Sequence, residues 1–398
     1  WFRAWFCVLL FLCLFCYPVV FTLGAIALGF GTVFLGIEFF SLLPLRIWGI
    51  MTNFTLLAVP LFVFMGVILE KSGIAEELLD TMGRLFGSLR GGLAISVVVV
   101  GALLAATTGV VGASVVTMTV IALPSMLKRG YSPELASGTI AASGTLGQII
   151  PPSIILILLG DVVGVPEGEL FMAAAAPGAM LILAYILYVV WTAWRHPETA
   201  PAVKSLANQS PDLLFSVINS LVPPLLLILA VLGSIFFGIE SPTESAAVGA
   251  LGAIVLAAIH RRMNLNNLRE ALQRTTRLTS MVFIIFIGAT AFGLVFVGMG
   301  GDKLILDLFT ALPGGKWTFL VVSMLLIFFL GFFLDFIEIC FIVVPVIAPV
   351  AIHMGIDPLW FALLIALNLQ TSFLTPPFGF SLFYLKASAP PTLKLKSN

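Results

Sequence analysis

Pro124-Ser125-Met126-Leu127-Lys128-Arg129-Gly130-Tyr131-Ser132-Pro133, followed by Pro151-Pro152, sets a pattern of spacings that returns 225 positions later. The second copy is Pro349-Val350-Ala351-Ile352-His353-Met354-Gly355-Ile356-Asp357-Pro358, followed by Pro376-Pro377. Four prolines and a glycine keep their mutual distances in both copies. Each copy follows a hydrophobic stretch, 93–127 or 317–353, that is long enough for two helices but too short for two membrane spans of about 20 residues each. Each stretch is least apolar near its middle, at Thr107-Thr108-Gly109 in the first and at Asp335 to Glu338 in the second. Two arms joined by such a tip read as a re-entrant hairpin, which is tolerable at membrane depth only where protein or a wet cavity covers the tip. Paired, proline- or glycine-broken hydrophobic segments in two halves of a membrane protein point to the binding site of a secondary transporter.

The rest of the chain agrees with a membrane setting. Of 398 residues 60% are hydrophobic and 10% charged, and mean hydropathy is +1.16, whereas a soluble globule carries about 25% charged residues. Apolar runs that read as spans lie near 5–36, 53–70, 170–194, 213–237, 240–260 and 277–299. With both hairpins entering and leaving by one face, 16 Lys and Arg fall on one side and only Arg46, Lys303 and Lys316 on the other. The crowded side is then cytoplasmic, as is the N-terminus. This count places Lys128-Arg129 inside and His353-Met354 outside, so the two repeats are inverted.

The expected organisation is scaffold helices over 1–72, an interfacial arm helix over 73–92, and a first transport half over 93–169 with hairpin 93–127 and broken helix 132–165. Linker and scaffold helices follow over 170–260, a second arm helix over 261–276 and connecting helices over 277–316. The second transport half, 317–390, holds hairpin 317–353 and broken helix 358–388. The fold class is therefore an all-α polytopic membrane protein, an inverted-repeat ion transporter of elevator type with two hairpins and two broken helices.

The chemistry concentrates where the broken helices meet their proline pairs, at Ser143-Gly144-Thr145-Leu146-Gly147-Gln148 before Pro151-Pro152 and at Asn368-Leu369-Gln370-Thr371-Ser372-Phe373-Leu374-Thr375 before Pro376-Pro377. Proline removes a backbone donor and frees carbonyls upstream of it. Free carbonyls with Ser, Thr and Asn oxygens form a hard, neutral cage suited to Na⁺; a kinked helix whose hydroxyls bond their own backbone is the plainer alternative. No Lys or Arg occurs in 91–127 or 317–385, so an anionic substrate there needs helix N-termini, hydroxyls and bound cations. Asp335 and Glu338 read equally as functional acids at depth and as a helix cap with its cavity-facing neighbour. Ser241-Pro242-Thr243-Glu244 reads as a helix cap. Cys7, Cys13, Cys16 and Cys340 read as apolar residues rather than metal ligands, and zero net charge gives no sign of a nucleic-acid partner. A membrane enzyme needs a nucleophile with its base, or a metal set, and no such spacing is present; a channel normally repeats its selectivity ring through oligomer symmetry.

At Pro124 to Tyr131, Ile149-Ile150-Pro151-Pro152-Ser153, Ser241 to Ala247 and Val344-Pro345 through Pro358, the chain resembles the large membrane subunit of the tripartite ATP-independent periplasmic (TRAP) transporters. The resemblance runs over nearly the whole chain. It implies a Na⁺-driven elevator carrier for a small organic acid in the bacterial inner membrane, with Na⁺ as coupling ion and no other cofactor. It also implies a four-helix small membrane subunit and a periplasmic binding protein as partners. Carried over, one sodium site joins Thr108 and Gly109 to Ser143, Gly144, Thr145 and Gly147, and the other joins Asp335 to Asn368, Thr371, Ser372 and Thr375. The substrate would lie against Thr107, Gly112, Ser114, Glu338, Pro151, Pro152, Pro376 and Pro377. The chain departs from the family's usual residues at Val110 and Ser372.

Overall fold

The computed structural model describes residues 19–202, 213–310, 313–376 and 379–389. Arg3, Cys7, Cys13, Cys16 and Pro377 lie outside them, as does the side chain of Thr107. The described residues form helices and no strands. In chain order they are α1 (Val19–Phe34), α2 (Leu43–Met51), α3 (Ala58–Lys71), α4 (Ile74–Phe86), α5 (Gly92–Thr108), α6 (Val111–Lys128), α7 (Pro133–Thr145), α8 (Ile154–Val163) and α9 (Glu167–Arg195). There follow α10 (Leu213–Phe236), α11 (Pro242–Ile259), α12 (Leu265–Gly298), α13 (Gly301–Thr310), α14 (Gly315–Leu330), α15 (Phe336–Ile342), α16 (Val344–His353), α17 (Pro358–Leu374) and α18 (Phe380–Ser388).

The 225-residue register extends through the secondary structure. Shifted by that amount, α4 falls on α13, α5 on α14, α6 on α15 and α16 together, α7 on α17 and α8 on α18, each to within a few residues. Each first arm packs on its own broken helix, α5 on α7 and α14 on α17. Each distal half of a broken helix crosses to the other repeat, α8 against α15 and α18 against α6. The two halves are thus mutually threaded. The remaining helices gather around α3, which packs on α11 and α12, with α1 on α12 and α10 on α11.

Local chemistry explains the boundaries. Ser132 caps α7, its hydroxyl accepting from the Leu135 N–H at 3.2 Å with Pro133 in the first turn, and Asp357 caps α17 in the same way through the Trp360 N–H at 2.8 Å. Ser241 and Glu244 form a full capping box at the start of α11, so the reading of that segment as a cap holds. α4 buries Ile74, Leu78, Leu79 and Met82 and turns Glu76, Glu77 and Asp80 outward, as an amphipathic helix must.

Two features differ from expectation. No boundary falls at 276/277, because α12 runs unbroken from Leu265 to Gly298; nothing between Leu265 and Ile287 is Gly or Pro, so no residue there stops a helix. By register the counterpart of α4 is accordingly α13 rather than 261–276. Residues 37–51, between two of the expected spans, form a 3₁₀ turn (Ile37–Leu42) and α2, where Pro44 occupies the tolerated first turn instead of ending the element.

Candidate functional site

The first hairpin closes at Gly109, which takes a left-handed conformation (φ 58°) and donates its N–H to Ala105 at 3.0 Å. Only glycine adopts that backbone cheaply. A Cβ there would stand 3.1 Å from the side chain of Ile154, the first residue of α8, so the tip rests on the far side of the break. Across the tip Thr108 and Ser114 share a hydrogen bond of 2.6 Å, while Thr108 also reaches the Leu104 carbonyl at 2.9 Å. Thr107 lies in α5, its side chain outside the described residues.

The first break passes from α7 through a 3₁₀ turn (Leu146–Gln148) to the buried Pro151-Pro152-Ser153, where Ser153 donates to the Gln148 carbonyl at 3.0 Å. Small residues bring it against the hairpin. A Cβ on Gly101 would lie 2.5 Å from that of Ser143, one on Gly147 would lie 3.0 Å from the Ala105 carbonyl, and one on Gly144 would collide with Val115. The break at Ser143, Gly144 and Gly147 therefore packs on Gly101, Ala105 and Val115 of the hairpin arms, and the tip at Gly109 packs on Ile154 beyond it. Gly112 turns elsewhere, its open side 2.9 Å from the ring of Tyr384 in α18 of the other half.

The second half is built differently. The turn after α14 leads to Asp335, which caps α15 with its carboxylate accepting from Phe336 N–H at 2.8 Å, while Glu338 accepts from the Asp335 N–H at 3.1 Å. The capping alternative thus holds for Asp335, while Glu338, expected there to face the cavity, closes the capping box instead. It is Gly331, four residues upstream, that presses on the broken helix, since a Cβ there would fall on the Ser372 hydroxyl. Asn368 donates to the Met324 carbonyl at 2.7 Å and ties α17 to α14. Thr371, Thr375 and Pro376 follow at the end of α17, and Pro377 lies outside the described residues.

In both halves the expected ligand hydroxyls bond backbone carbonyls: Ser143 to Ile140, Thr145 to Ala142, Thr371 to Asn368, Ser372 to Leu369 and Thr375 to Thr371, at 2.7 to 3.1 Å. A hydroxyl that donates its one proton still offers lone pairs. The two readings are therefore compatible, because the backbone bond orients each oxygen that a cation would use.

Sequence reasoning missed Tyr185, Gln370 and Gln148. The Gln370 amide donates to the Tyr185 hydroxyl at 3.3 Å, Tyr185 is hydrogen-bonded to Thr145, and Thr145 donates to Ala142. The chain crosses from one broken helix to the other through α9, and residues 145 and 370 occupy equivalent places in the repeat. The signal was available there, an amide at the counterpart of Thr145. The remaining Gln370 oxygen and both polar atoms of the fully buried Gln148 side chain have no protein partner.

Two turns into α6, Thr117 donates to the Glu70 carboxylate at 3.0 Å, which Arg274 also grips through both oxygens at 3.0 Å; Lys71 pairs with Glu270 nearby at 2.6 Å. These contacts join the first hairpin to α3 and α12.

Residues 6–395 match the family described as "Tripartite ATP-independent periplasmic transporter, DctM component". The chain is 32% identical over 348 residues to the C4-dicarboxylate TRAP transporter large permease protein DctM of Pseudomonas aeruginosa, covering 87% of this chain and 80% of that one. It is 31% identical over 369 residues to the sialic acid TRAP transporter large permease protein SiaM of Vibrio cholerae, covering 92% and 84%. The crystal structure of the Alcanivorax borkumensis YdaH transporter shares the fold with a TM-score of 0.61 at 16% identity, over 91% of this chain and 83% of that one. The chain belongs to the DctM family: it is a multi-pass membrane component of a TRAP transporter and not an enzyme.

Proposed function

We propose that the protein carries a small organic acid across the bacterial inner membrane, coupled to Na⁺, by an elevator movement, with its N-terminus in the cytoplasm. The relatives named for C4-dicarboxylates and sialic acid favour an organic anion. The matching family is that of a tripartite periplasmic system, which supports a periplasmic binding protein and a small membrane subunit as partners; one relative bears the fused-type name DctMQ. The observation that carries the elevator reading is the mutual threading of the halves. With Gly112 of one hairpin on Tyr384 of the other half and α8 on α15, neither half moves without the other. α9 packs on α5, α7, α8 and α17 and therefore joins the moving body, while α1, α3, α11 and α12 form the frame.

On the orientation given by the charge count, Thr117, Glu70 and Arg274 close the cytoplasmic side of that frame. Transport follows when this contact opens and the body slides as a unit. Uptake into proteoliposomes holding both membrane subunits, with binding protein outside, should require an inward Na⁺ gradient. Thr145→Val and Thr371→Val should each raise the Na⁺ concentration for half-maximal uptake, because a methyl replaces an oxygen of similar volume. Uptake indifferent to Na⁺ in the unmodified protein would refute the coupling.

A further inference from the structure

A cavity of about 550 Å³ lies between α12 and the second hairpin, with α2 and the end of α8 completing its wall. Phe39, Phe286, Phe292 and Phe341 face it, and Arg46 and Asp161 are its two charged groups. One Asp161 oxygen accepts a hydrogen bond of 2.7 Å from the Asn53 amide. Arg46 is exposed and makes no ion pair among the described residues. On the proposed orientation the cavity opens to the periplasm, on a face whose segments 37–57, 161–169, 237–244, 298–317 and 353–358 hold nine Asp and Glu against three Lys and Arg. Of the three cations on that largely acidic face, Arg46, Lys303 and Lys316, only Arg46 lines the cavity, beside its phenylalanines.

We propose that this cavity is an outer vestibule that receives the substrate before the central site, with its carboxylate on Arg46 and its body among the phenylalanines. The volume falls in the range of small-molecule clefts. Guanidinium offers a carboxylate a planar, two-point hydrogen bond. Apart from Thr290 and Asp161 the lining offers no uncharged or acidic polar side chain, so most hydroxyls of a sugar-like body would be buried unsatisfied, and Asp161 repels a second carboxylate. The vestibule therefore selects a compact monocarboxylate with an apolar or aromatic body over a dicarboxylate or a polyhydroxylated acid. The inference rests on the transport reading for its orientation and specifies the class of cargo within it.

The test is binding of phenylacetate and of succinate to the complete membrane complex in nanodiscs, by saturation-transfer NMR and calorimetry without Na⁺, so that the central sites do not contribute. Phenylacetate should bind about tenfold more tightly than succinate. Arg46→Gln should weaken phenylacetate about tenfold, Arg46→Lys should restore only part of the loss because an ammonium keeps the charge and loses the two-point contact, and Asp161→Asn should improve succinate alone. Phe39→Leu is a second variant that should weaken phenylacetate and leave succinate unchanged. Equal binding by wild type and Arg46→Gln, a preference for succinate, or loss of a co-purifying phospholipid in Arg46→Gln with acid binding intact would each overturn the proposal. Because binding is read without a gradient, failure of Na⁺-driven uptake would strike the transport reading and leave this result standing.

Discussion

The two halves share their break points and differ in how closely they pack. Gly101, Gly109, Gly112, Gly144 and Gly147 of the first half correspond, 225 residues on, to Leu326, Leu334, Ile337, Leu369 and Ser372. In the first half, backbone approaches backbone through missing side chains. In the second, such an approach remains at Gly331 against Ser372, and rings pack nearby: Phe328 and Phe329 stand edge-on to Phe332 at 5.0 and 5.9 Å, and Phe319 and Phe361 lie 6.0 Å apart. The returning arms differ too. α6 is continuous despite Pro124, whereas its counterpart is bent by 53° between α15 and α16, where Pro345 adds a second missing donor. Prolines thus preserve where each half breaks, while the first half holds its break through five glycines and the second through Gly331 with bulkier residues at the five equivalent positions.

The sharpest consequence falls on Gly144. Installing the second half's residue, Gly144→Leu, drives a branched side chain into Val115 and should abolish both folded protein and uptake. Gly144→Ala should cost about 1–3 kcal/mol through overpacking and lower uptake more than tenfold. The reciprocal Leu369→Ala leaves a cavity and should cost about 2–5 kcal/mol. Melting curves of the purified variants measure all three, and a Gly144→Ala protein as stable as wild type would show that the close approach in the first half is not needed.

A second contrast is electrical, since the first tip carries Thr108 and Ser114 and the second Asp335 and Glu338. Asp335→Asn keeps an acceptor for the cap but removes the charge, and if the carboxylate serves the second ion site the Na⁺ requirement of uptake should rise about tenfold. Asp335→Ala loses the cap as well, at about 1 kcal/mol more. Unchanged Na⁺ dependence in Asp335→Asn would reduce Asp335 to the capping role seen in the structure.

Much of this was legible in the sequence because it is local. Prolines 124, 133, 151 and 152 with their partners, the capping box at Ser241 and Glu244, and the apolar arms all declare themselves through neighbours a few residues away. The unbroken α12 was obscured because Arg269, Arg274 and Arg277 alternate with apolar residues, as in an interfacial helix; in the structure Arg274 instead reaches across to Glu70. The Tyr185 bridge was illegible for another reason. Its members lie 40 and 185 residues apart, so no local pattern joins them.

The frame contact distinguishes the halves again. Thr117 is bonded to Glu70, while its counterpart Ile342 lines the open cavity. Thr117→Val should weaken the cytoplasmic closure by about 0.5–1.5 kcal/mol, a net hydrogen bond, and shift a cysteine cross-link between α6 and α3 toward slower formation. Glu70→Gln, which also leaves Arg274 unpaired, should shift it further. Cross-linking at wild-type rates in both variants would mean that this contact does not hold the observed state.

The smallest expected effect concerns the Tyr185 bridge, where the halves are joined by polar atoms at equivalent positions. Tyr185→Phe removes the hydroxyl that accepts from Gln370 and bonds Thr145 but keeps the ring, so it should cost about 0.5–1.5 kcal/mol and lower uptake a few-fold at most. Thr145→Val removes the other end of the chain and, on the ion-site reading, an oxygen for Na⁺. If the hydroxyl chain is the sole role of Thr145, the double variant should be no worse than Tyr185→Phe, since the interaction is already lost. If Thr145 also serves the ion, the double variant should retain the full rise in Na⁺ requirement of Thr145→Val on top of the stability loss of Tyr185→Phe. We expect the second outcome. Measuring melting temperature and Na⁺ dependence for the four proteins of this cycle separates a staple between the halves from a ligand within one of them.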